Sequence, residues 1–255
     1  MIELIQEKLL EIEQKENVRV LMAVESGSRA WGFASPDSDY DVRFLYVRKE
    51  EDYLRLDPVR DVIEWQLDEK LDINGWDMKK ALSLLHNSNP TIFEWCASPI
   101  VYRGGVDFDE FKGLLPEYFS VKKSLYHYWH MAESNYRGYL KGDVVRIKKY
   151  FYVLRPLLAA KWIMARKCPP PMLFSDLMEA ELEKGLVPEV ERLLEMKRGL
   201  SEMGDAPKIS VLNEYIEETL EEVRIGAAGA EKTDVEWEKL NTYFLGLIRK
   251  GSGIF

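Results

Sequence analysis

The stretch that decides the fold reads ESGSRAWGFASPDSDYDVRFLYV and covers residues 25–47. It follows VRVLMAV at residues 18–24, a short apolar run rich in valine, which predicts a buried β-strand. Gly27 and Ser28 come directly after that run, and the Pro, Ser and Asp residues beyond them are typical of a loop. YDVRFLYV at residues 40–47 alternates between apolar and polar side chains, which predicts a second strand. The segment is therefore a strand, a glycine-containing turn, a loop and another strand.

Two acidic side chains lie where the second predicted strand begins. Asp39 and Asp41 are separated by one residue, so on a strand their carboxylates point to the same face of the sheet. Neighbouring carboxylates repel each other unless a cation lies between them. Magnesium suits such a pair, because it binds a few carboxylates, retains water and completes its coordination with substrate phosphates. The pair therefore predicts a magnesium site that handles a phosphate-bearing substrate.

The turn formed by Gly27 and Ser28 is a candidate binding site for phosphate. Glycine has no Cβ, so a phosphate can approach the backbone closely, and the Ser28 hydroxyl and consecutive N–H groups can bind its oxygens. A simpler interpretation exists for the neighbouring SPDSD at residues 35–39, because Ser and Asp side chains often hydrogen-bond to their own backbone in turns. Taken alone, the segment leaves both interpretations open.

A Gly-Ser pair, a loop of this length and Asp-x-Asp at the start of a strand resemble the signature of the polymerase-beta-like nucleotidyltransferase superfamily. The fuller string GSRAWGFASPDSDYDVRF at residues 27–44 is similar to the branch that includes the RNA-repair-pathway polymerase-beta-family protein. Three later blocks extend the resemblance to about residues 20–165: DINGWDMKKAL at 72–82, SNPTIFEWCASPIVY at 88–102 and KKYFYVLRPLLAAKW at 148–162.

The resemblance implies a catalytic centre of three carboxylates that bind two Mg²⁺ ions, with Mn²⁺ as a possible substitute. Asp39 and Asp41 match the first two, and the third lies on an adjacent strand. Asp72 is preferred for that role, although Asp77 competes with it and is also suited to cap a helix. In such a centre an acceptor hydroxyl attacks the α-phosphate of a nucleoside triphosphate such as ATP, pyrophosphate leaves, and Asp72 helps to deprotonate the hydroxyl.

Further contacts to the triphosphate are expected from basic and polar side chains. Lys148, Tyr152 and Arg155 are spaced by four and three residues, so they share one face of a helix predicted at residues 144–166. A solvated face on which Lys and Arg cover apolar surface is the alternative. Arg29 follows the Gly-Ser pair and could reach a phosphate, but an exposed arginine beside a turn is equally ordinary.

Composition limits the class of protein. The chain has 255 residues, of which 46% are hydrophobic and 31% charged, and a net charge of −9. This acidic balance argues against a protein coated in basic surface for wrapping duplex nucleic acid, but it leaves room for a local basic groove. The N-terminus does not resemble a signal peptide and no apolar run is long enough to cross a membrane, so a cytoplasmic enzyme or binding protein is expected.

The predicted fold is an α/β (α+β) nucleotidyltransferase-like N-terminal domain with a mixed sheet at residues 1–105, followed by a helical domain at residues 106–255. The Gly- and Ala-rich residues 226–230 are predicted to form a flexible linker. Helices are expected in the second domain near residues 108–119, 121–140, 144–166, 175–184, 187–202, 209–225 and 234–249.

Three functions are compatible with these features. The first is magnesium-dependent transfer of a nucleoside monophosphate to the 3′ end of an RNA or DNA, in keeping with RNA repair. The second is nucleotidyl transfer to a protein or a small molecule. The third is a catalytically silent regulator that binds nucleotide. The complete set of Asp39, Asp41 and Asp72 counts against the third, because a silent protein has no need of mutually repelling carboxylates.

Overall fold

A computed structural model describes residues 1–68, 70–199 and 204–251. The chain opens with helix α1 (Ile2–Glu16), which buries Ile5, Leu9 and Ile12 on one face. These residues recur every three or four positions, the spacing of a single helical face. The helix ends at Asn17, whose φ of 51° places it in the left-handed region that commonly terminates helices.

The sheet consists of β1 (Arg19–Ser26), β2 (Tyr40–Val47), β3 (Val62–Asp68), β4 (Leu71–Asp77) and β5 (Val101–Arg103). Its spatial order is β3-β4-β2-β1-β5. The pairing of β2 with β4 is parallel, whereas the other pairings are antiparallel. The predicted mixed sheet is confirmed.

Register brings the ends of three strands together. Asp41 on β2 pairs with Asp72 on β4, and the same Asp41 pairs with Ser26 at the end of β1. Because β2 and β4 are parallel, both begin at this edge, while the antiparallel β1 ends there. The Gly-Ser turn that follows β1 therefore meets the carboxylates that open β2 and β4.

Helices cover both faces of the sheet. Besides α1, the first part of the chain contains α2 (Gly27–Ala30), α3 (Glu50–Tyr53), α4 (Met78–His86), α5 (Pro90–Cys96) and α6 (Val106–Tyr118). Helix α1 packs with one set of sheet residues, which includes Val42 and Phe44. Helices α4, α5 and α6 pack with the alternate set, which includes Val24 and Leu45. Strand β1 is a nearly continuous apolar run because both of its faces are buried.

The remaining helices are α7 (Val121–Tyr139), α8 (Lys149–Arg166), α9 (Phe174–Glu181), α10 (Val187–Gly199), α11 (Ser210–Gly229) and α12 (Glu238–Gly251). Helix α8 lies at the centre of this part, since residues 153–160 are all buried. The predicted class, a mixed α/β unit followed by helices, is thus confirmed.

Two local predictions are wrong. The helix predicted from residue 144 begins only at Lys149, because Val144–Arg146 forms a strand, β6, that pairs with β7 (Asp205–Pro207) and buries Val145. Branched valines favour this extended pairing. The linker predicted at residues 226–230 is mostly helix, because α11 continues to Gly229 and buries Ala227 completely. Its glycine allows close packing, since a Cβ on Gly226 would lie 2.9 Å from Met164 Sδ.

The last helix returns to the first part of the chain. Leu240, Leu247 and Ile248 of α12 belong to the same buried cluster as α4 and α6. The Trp237 ring stacks on His86 with their centroids 3.6 Å apart. The division at residues 105 and 106 stays a prediction, with α12 packed against helices of the proposed N-terminal domain. Over the described parts of the chain, no helix has both the length and the apolar character of a membrane span.

Candidate active site

Two of the predicted carboxylates face each other at the edge of the sheet. Asp41 and Asp72 are direct partners across the parallel pair of β2 and β4. Asp39 lies just before β2 and its negative charge acts on Asp41. The Asp41 side chain is 30% exposed and that of Asp72 is 50% exposed, so both are open to a ligand. The structure therefore places Asp41 and Asp72 side by side, with Asp39 two residues before Asp41.

Asp77 lies at the other end of β4, where it pairs with Tyr46. Its Oδ1 accepts a hydrogen bond from the Lys79 N–H at 2.8 Å and caps α4, and its Oδ2 accepts one from the Tyr53 hydroxyl at 2.9 Å. It is only 2% exposed. These contacts describe a structural helix cap away from Asp41, whereas Asp72 lies beside Asp41.

An arginine joins the two facing carboxylates. Nη2 of Arg43 donates to Asp41 Oδ1 at 2.9 Å and to Asp72 Oδ2 at 2.8 Å. Nη1 donates to the backbone oxygens of Val42 and Asp72 at 3.1 and 3.2 Å. Sequence reasoning missed Arg43, although its position two residues after Asp41 on a strand places it on the same face.

The electrostatics of the pair fit a bound cation. Burial raises the pKa of Asp41, and the negative charges of Asp72 and Asp39 raise it further, while Arg43 opposes the rise. The donors are carboxylate oxygens, which Mg²⁺ prefers. Among the described residues no group of three or more His, Cys, Asp or Glu side chains forms a ready metal-binding cluster. A facing pair of carboxylates, already joined by one positive charge, is the feature that suits the metal.

Gly27 is the tightest point of the site. Its φ of +62° lies in the left-handed region, and a Cβ at this position would lie 2.2 Å from Asp41 Oδ2. Ser28 follows in the short helix α2. Any side chain at residue 27 would therefore displace Asp41, which gives the Gly-Ser turn a function in shaping the carboxylate site besides the predicted binding of phosphate.

A buried glutamate supports Asp41 from behind. Glu25 is fully buried, and its Oε1 accepts the Asp41 N–H at 2.7 Å. Its Oε2 accepts a hydrogen bond from the Tyr102 hydroxyl, and its backbone oxygen accepts one from Ser98 Oγ at 2.6 Å. Burial raises the pKa of Glu25. Sequence reasoning missed this residue, because a glutamate ending an apolar run carries no local sign that its partners lie on β5.

Removing the Tyr102 hydroxyl tests this support. We expect Tyr102→Phe to lower the free energy of unfolding by about 2 kcal/mol, because a buried oxygen of Glu25 loses its donor. Urea denaturation provides the measurement. Tyr139→Phe is the control at a 43% exposed tyrosine, and we expect it to change stability by less than about 0.5 kcal/mol. Equal effects of the two substitutions would contradict the proposed support.

Arg29 holds the loop that precedes β2. Its Nε donates to the Asp39 backbone oxygen at 3.0 Å and its Nη2 donates to the Ser38 oxygen at 2.6 Å. The guanidinium carbon lies 3.7 Å from the centre of the Tyr40 ring. Arg29 thus fixes the backbone at Asp39, and its predicted contact with a phosphate stays a prediction.

The three predicted residues around helix α8 have different environments. Lys148 is the residue that precedes the helix. Tyr152 is 40% exposed, and its pKa is raised by burial and then by the charges of Asp41 and Asp39. Arg155 is 2% exposed, so it is part of the interior. That these three residues jointly contact a triphosphate stays a prediction.

Arg155 joins the helical part of the chain to the sheet unit. Its Nη1 pairs with Glu94 Oε1 of α5 at 2.8 Å, and its guanidinium carbon lies 4.7 Å from the centre of the Trp31 ring. The Tyr152 ring makes an edge contact with the same Trp31 at 5.8 Å. These contacts place Trp31 between the Gly-Ser turn and α8, in contact with both Arg155 and Tyr152.

A strip of lysines and aromatic rings continues from Tyr152. Lys149 Nζ lies 4.0 Å from the centre of the Tyr139 ring and 4.8 Å from that of Tyr152. Lys197 of α10 has its Nζ 5.6 Å from the Phe33 ring, and its pKa is lowered by burial and by the charge of Lys148. Sequence reasoning missed Lys197, because only the tertiary fold brings α10 near Lys148. The strip consists of Lys148, Lys149 and Lys197 with Tyr139 and Tyr152.

Comparisons with known proteins agree with the motif. The family described as RNA repair pathway DNA polymerase beta family matches residues 1–246. The uncharacterized protein YcgL of Bacillus subtilis (strain 168) is 45% identical over 248 residues, which are 96% of this chain and 95% of that protein. A nucleotidyltransferase-like protein from Exiguobacterium sibiricum 255-15, known from a crystal structure, aligns with 94% of this chain and 78% of its own. Its sequence identity to this chain is 13%, and the TM-score of 0.31 is too low to establish a shared fold.

The family match spans nearly the whole chain and includes the Gly-Ser turn, the three carboxylates and helix α8. The resemblance inferred from GSRAWGFASPDSDYDVRF is therefore confirmed. This chain belongs to the RNA repair pathway DNA polymerase beta family.

Proposed function

We propose that this chain is a magnesium-dependent nucleotidyltransferase that moves a nucleoside monophosphate from a nucleoside triphosphate to an acceptor hydroxyl. The observation that carries the proposal is the facing pair of Asp41 and Asp72 on parallel strands, with Gly27 packed against Asp41. Membership of a polymerase-beta family supports nucleotidyl transfer in general. The carboxylates, the glycine turn and the nearby lysines give each part of a phosphate-transfer reaction a residue of suitable chemistry.

Asp39, Asp41 and Asp72 are the proposed ligands for two Mg²⁺ ions, with Mn²⁺ as a substitute. The chemistry that such ions supply when bound is activation of the acceptor hydroxyl and neutralisation of charge on the leaving pyrophosphate. Asp72 has the more exposed side chain of the facing pair and is the proposed acceptor of the hydroxyl proton. Glu25 holds the backbone of Asp41 in place through its N–H.

The proposed triphosphate site lies between the Gly-Ser turn and α8. Gly27 has no side chain to cover its own N–H group, and Ser28 offers a hydroxyl and an N–H group for phosphate oxygens. Lys148 and Lys197 are the proposed cations on the helical side. Burial and then the positive charge of Lys148 lower the pKa of Lys197, and a bound anion would relieve the repulsion between the two lysines. Tyr152 is the proposed third residue on the helical side of this site. ATP is the first triphosphate to test.

The proposed acceptor is the 3′ hydroxyl of an RNA or DNA. Lys149 of the strip lies close to the rings of both Tyr139 and Tyr152, an arrangement suited to a phosphate and stacked bases of a single strand. A small-molecule acceptor is the second candidate, favoured by one observation. A cleft of about 570 Å³ adjoins Trp31, and its lining includes the rings of Phe33 and Phe174 and the carboxylates of Glu179 and Glu191.

The experiment that tests the proposed function is incubation of the purified chain with each labelled triphosphate, Mg²⁺ and a panel of acceptors. The panel contains single-stranded RNA, single-stranded DNA, a protein and amine-containing small molecules. We expect label to enter RNA or DNA, and EDTA to prevent the transfer. Transfer of label to a small molecule alone would favour the second candidate over a nucleic-acid acceptor. Absence of transfer from every triphosphate would contradict the proposed nucleotidyltransferase activity.

Lys149→Ala tests the nucleic-acid acceptor. In a single strand, each phosphate that the protein neutralises contributes about 0.7 to the magnitude of the slope of log affinity against log salt concentration. We therefore expect Lys149→Ala to reduce the magnitude of that slope by about 0.7, which corresponds to the loss of one phosphate contact. The measurement is binding of a short labelled RNA over a salt series. Lys184→Ala, in the exposed turn before α10, is the matched control. Identical slopes for the parent and Lys149→Ala would contradict an acceptor strand on this strip.

A further inference from the structure

Arg43 occupies the position between the facing carboxylates that a cation would take. A single nitrogen, Nη2, lies within hydrogen-bond distance of both Asp41 Oδ1 and Asp72 Oδ2. The Arg43 side chain is 18% exposed, so its charge is held inside the site. A divalent ion bound by the same two oxygens would meet this guanidinium at close range, and two positive charges at that distance repel each other.

The two oxygens of Asp41 have different surroundings. Oδ2 is the one nearest Gly27, where an added Cβ would lie 2.2 Å from it. Oδ1 is the one that Arg43 holds together with Asp72 Oδ2. A metal that binds both Asp41 Oδ1 and Asp72 Oδ2 therefore competes with Arg43 for these contacts.

We propose that Arg43 is an internal counterion, which stabilises the carboxylate pair when no metal is bound and competes with the metal for it. This inference rests on the proposed metal-dependent function of the same site. Arg43 relieves the repulsion between Asp41 and Asp72 in the free protein, and metal binding displaces its guanidinium. The displaced side chain keeps its charge and planar donors, which suit a phosphate oxygen of the incoming triphosphate.

A fixed structural role for Arg43 leads to the opposite expectation. If the guanidinium only aligned the carboxylates for the metal, its removal would loosen them and weaken metal binding. If it competes with the metal, its removal strengthens binding. The sign of the change therefore distinguishes the two roles, and no transfer reaction is needed to observe it.

The test is Mn²⁺ binding to the full chain without nucleotide, measured by calorimetry and by the electron paramagnetic resonance signal of free Mn²⁺. Arg43→Met keeps the length of the side chain and removes its charge. We expect binding to tighten about fivefold or more, because two partly exposed ion pairs no longer compete with the metal. We also expect Arg43→Met to melt at a lower temperature in EDTA and to gain more from Mn²⁺ than the parent. Arg60→Met, at a 61% exposed arginine, is the control.

Unchanged or weaker Mn²⁺ binding by Arg43→Met would overturn the inference. Should that variant not fold, the side-chain ¹⁵N signals of the parent decide the question. Arg43, assigned through Arg43→Lys, is then expected to shift on saturation with Mg²⁺, and an unmoved signal overturns the competition. Failure of the proposed function gives a different result. A parent protein that binds no Mn²⁺ and transfers no label contradicts both the proposed function and the counterion role. A parent that transfers label, together with an Arg43→Met variant whose Mn²⁺ affinity is unchanged, contradicts the counterion role alone.

Discussion

Asp41→Asn is expected to reduce nucleotidyl transfer by about a thousandfold or more, because it removes charge from the carboxylate that faces Asp72. An amide binds Mg²⁺ less strongly than a carboxylate and leaves the developing charge on the phosphates poorly balanced. The measurement is the rate of label transfer at saturating triphosphate, together with Mn²⁺ binding to the free protein. We expect both to be lost.

The same substitution should leave the fold intact. Burial and the charges of Asp72 and Asp39 raise the pKa of Asp41, which means that the folded protein disfavours its charged form. A neutral Asn relieves that cost but gives up the ion pair with Arg43. These effects oppose each other, so the melting temperature should change by no more than about 3 °C.

Asp37→Asn is the matched control for this prediction. Asp37 lies in the exposed loop before β2, so the same chemical change there removes a charge without altering the facing pair. We expect its rate to remain within about twofold of the parent, since an exposed surface charge acts weakly at a distance. Full transfer activity in Asp41→Asn, with a native circular dichroism spectrum, would contradict the two-metal mechanism.

The parts of the fold that sequence reasoning predicted are those that local patterns determine. Strand β1 follows from the apolar run at residues 18–24, and β2 follows from alternation. The helix predicted from residue 144 and the linker predicted at 226–230 were wrong for a common reason. In both segments a contact with distant residues, either β7 or the buried face at Met164, outweighs the local preference.

The site divides in the same way. Asp39, Asp41, Gly27 and Ser28 lie within one short segment, so their spacing and residue types were enough to place them together. The contributions of Arg43, Glu25 and Lys197 depend on pairing between strands and on the position of α10, which no short segment contains. Asp72 is intermediate, because its neighbours indicated a strand but only the parallel register puts it opposite Asp41.

Gly27→Val is expected to abolish binding of a non-hydrolysable triphosphate and to lower the free energy of unfolding by about 2 kcal/mol or more. The backbone at Gly27 has a φ of +62°, which a branched residue adopts only with strain, and the first added carbon would lie 2.2 Å from Asp41 Oδ2. Asp41 must therefore move, so the substitution damages the carboxylate pair on which the proposed binding of Mg²⁺ and triphosphate depends.

Isothermal titration with the triphosphate analogue and Mg²⁺, alongside urea denaturation, measures the two effects of Gly27→Val. Gly27→Ala adds only the Cβ and should show the same losses to a smaller degree, because the conflict with Asp41 begins at that atom. Gly185→Val is the control, since a Cβ there meets nothing within 4 Å, and we expect its affinity for the analogue to equal that of the parent. If Gly27→Val kept full affinity, the turn would shape the backbone without binding phosphate. If its stability were also unchanged, the close packing of Gly27 against Asp41 would be contradicted as well.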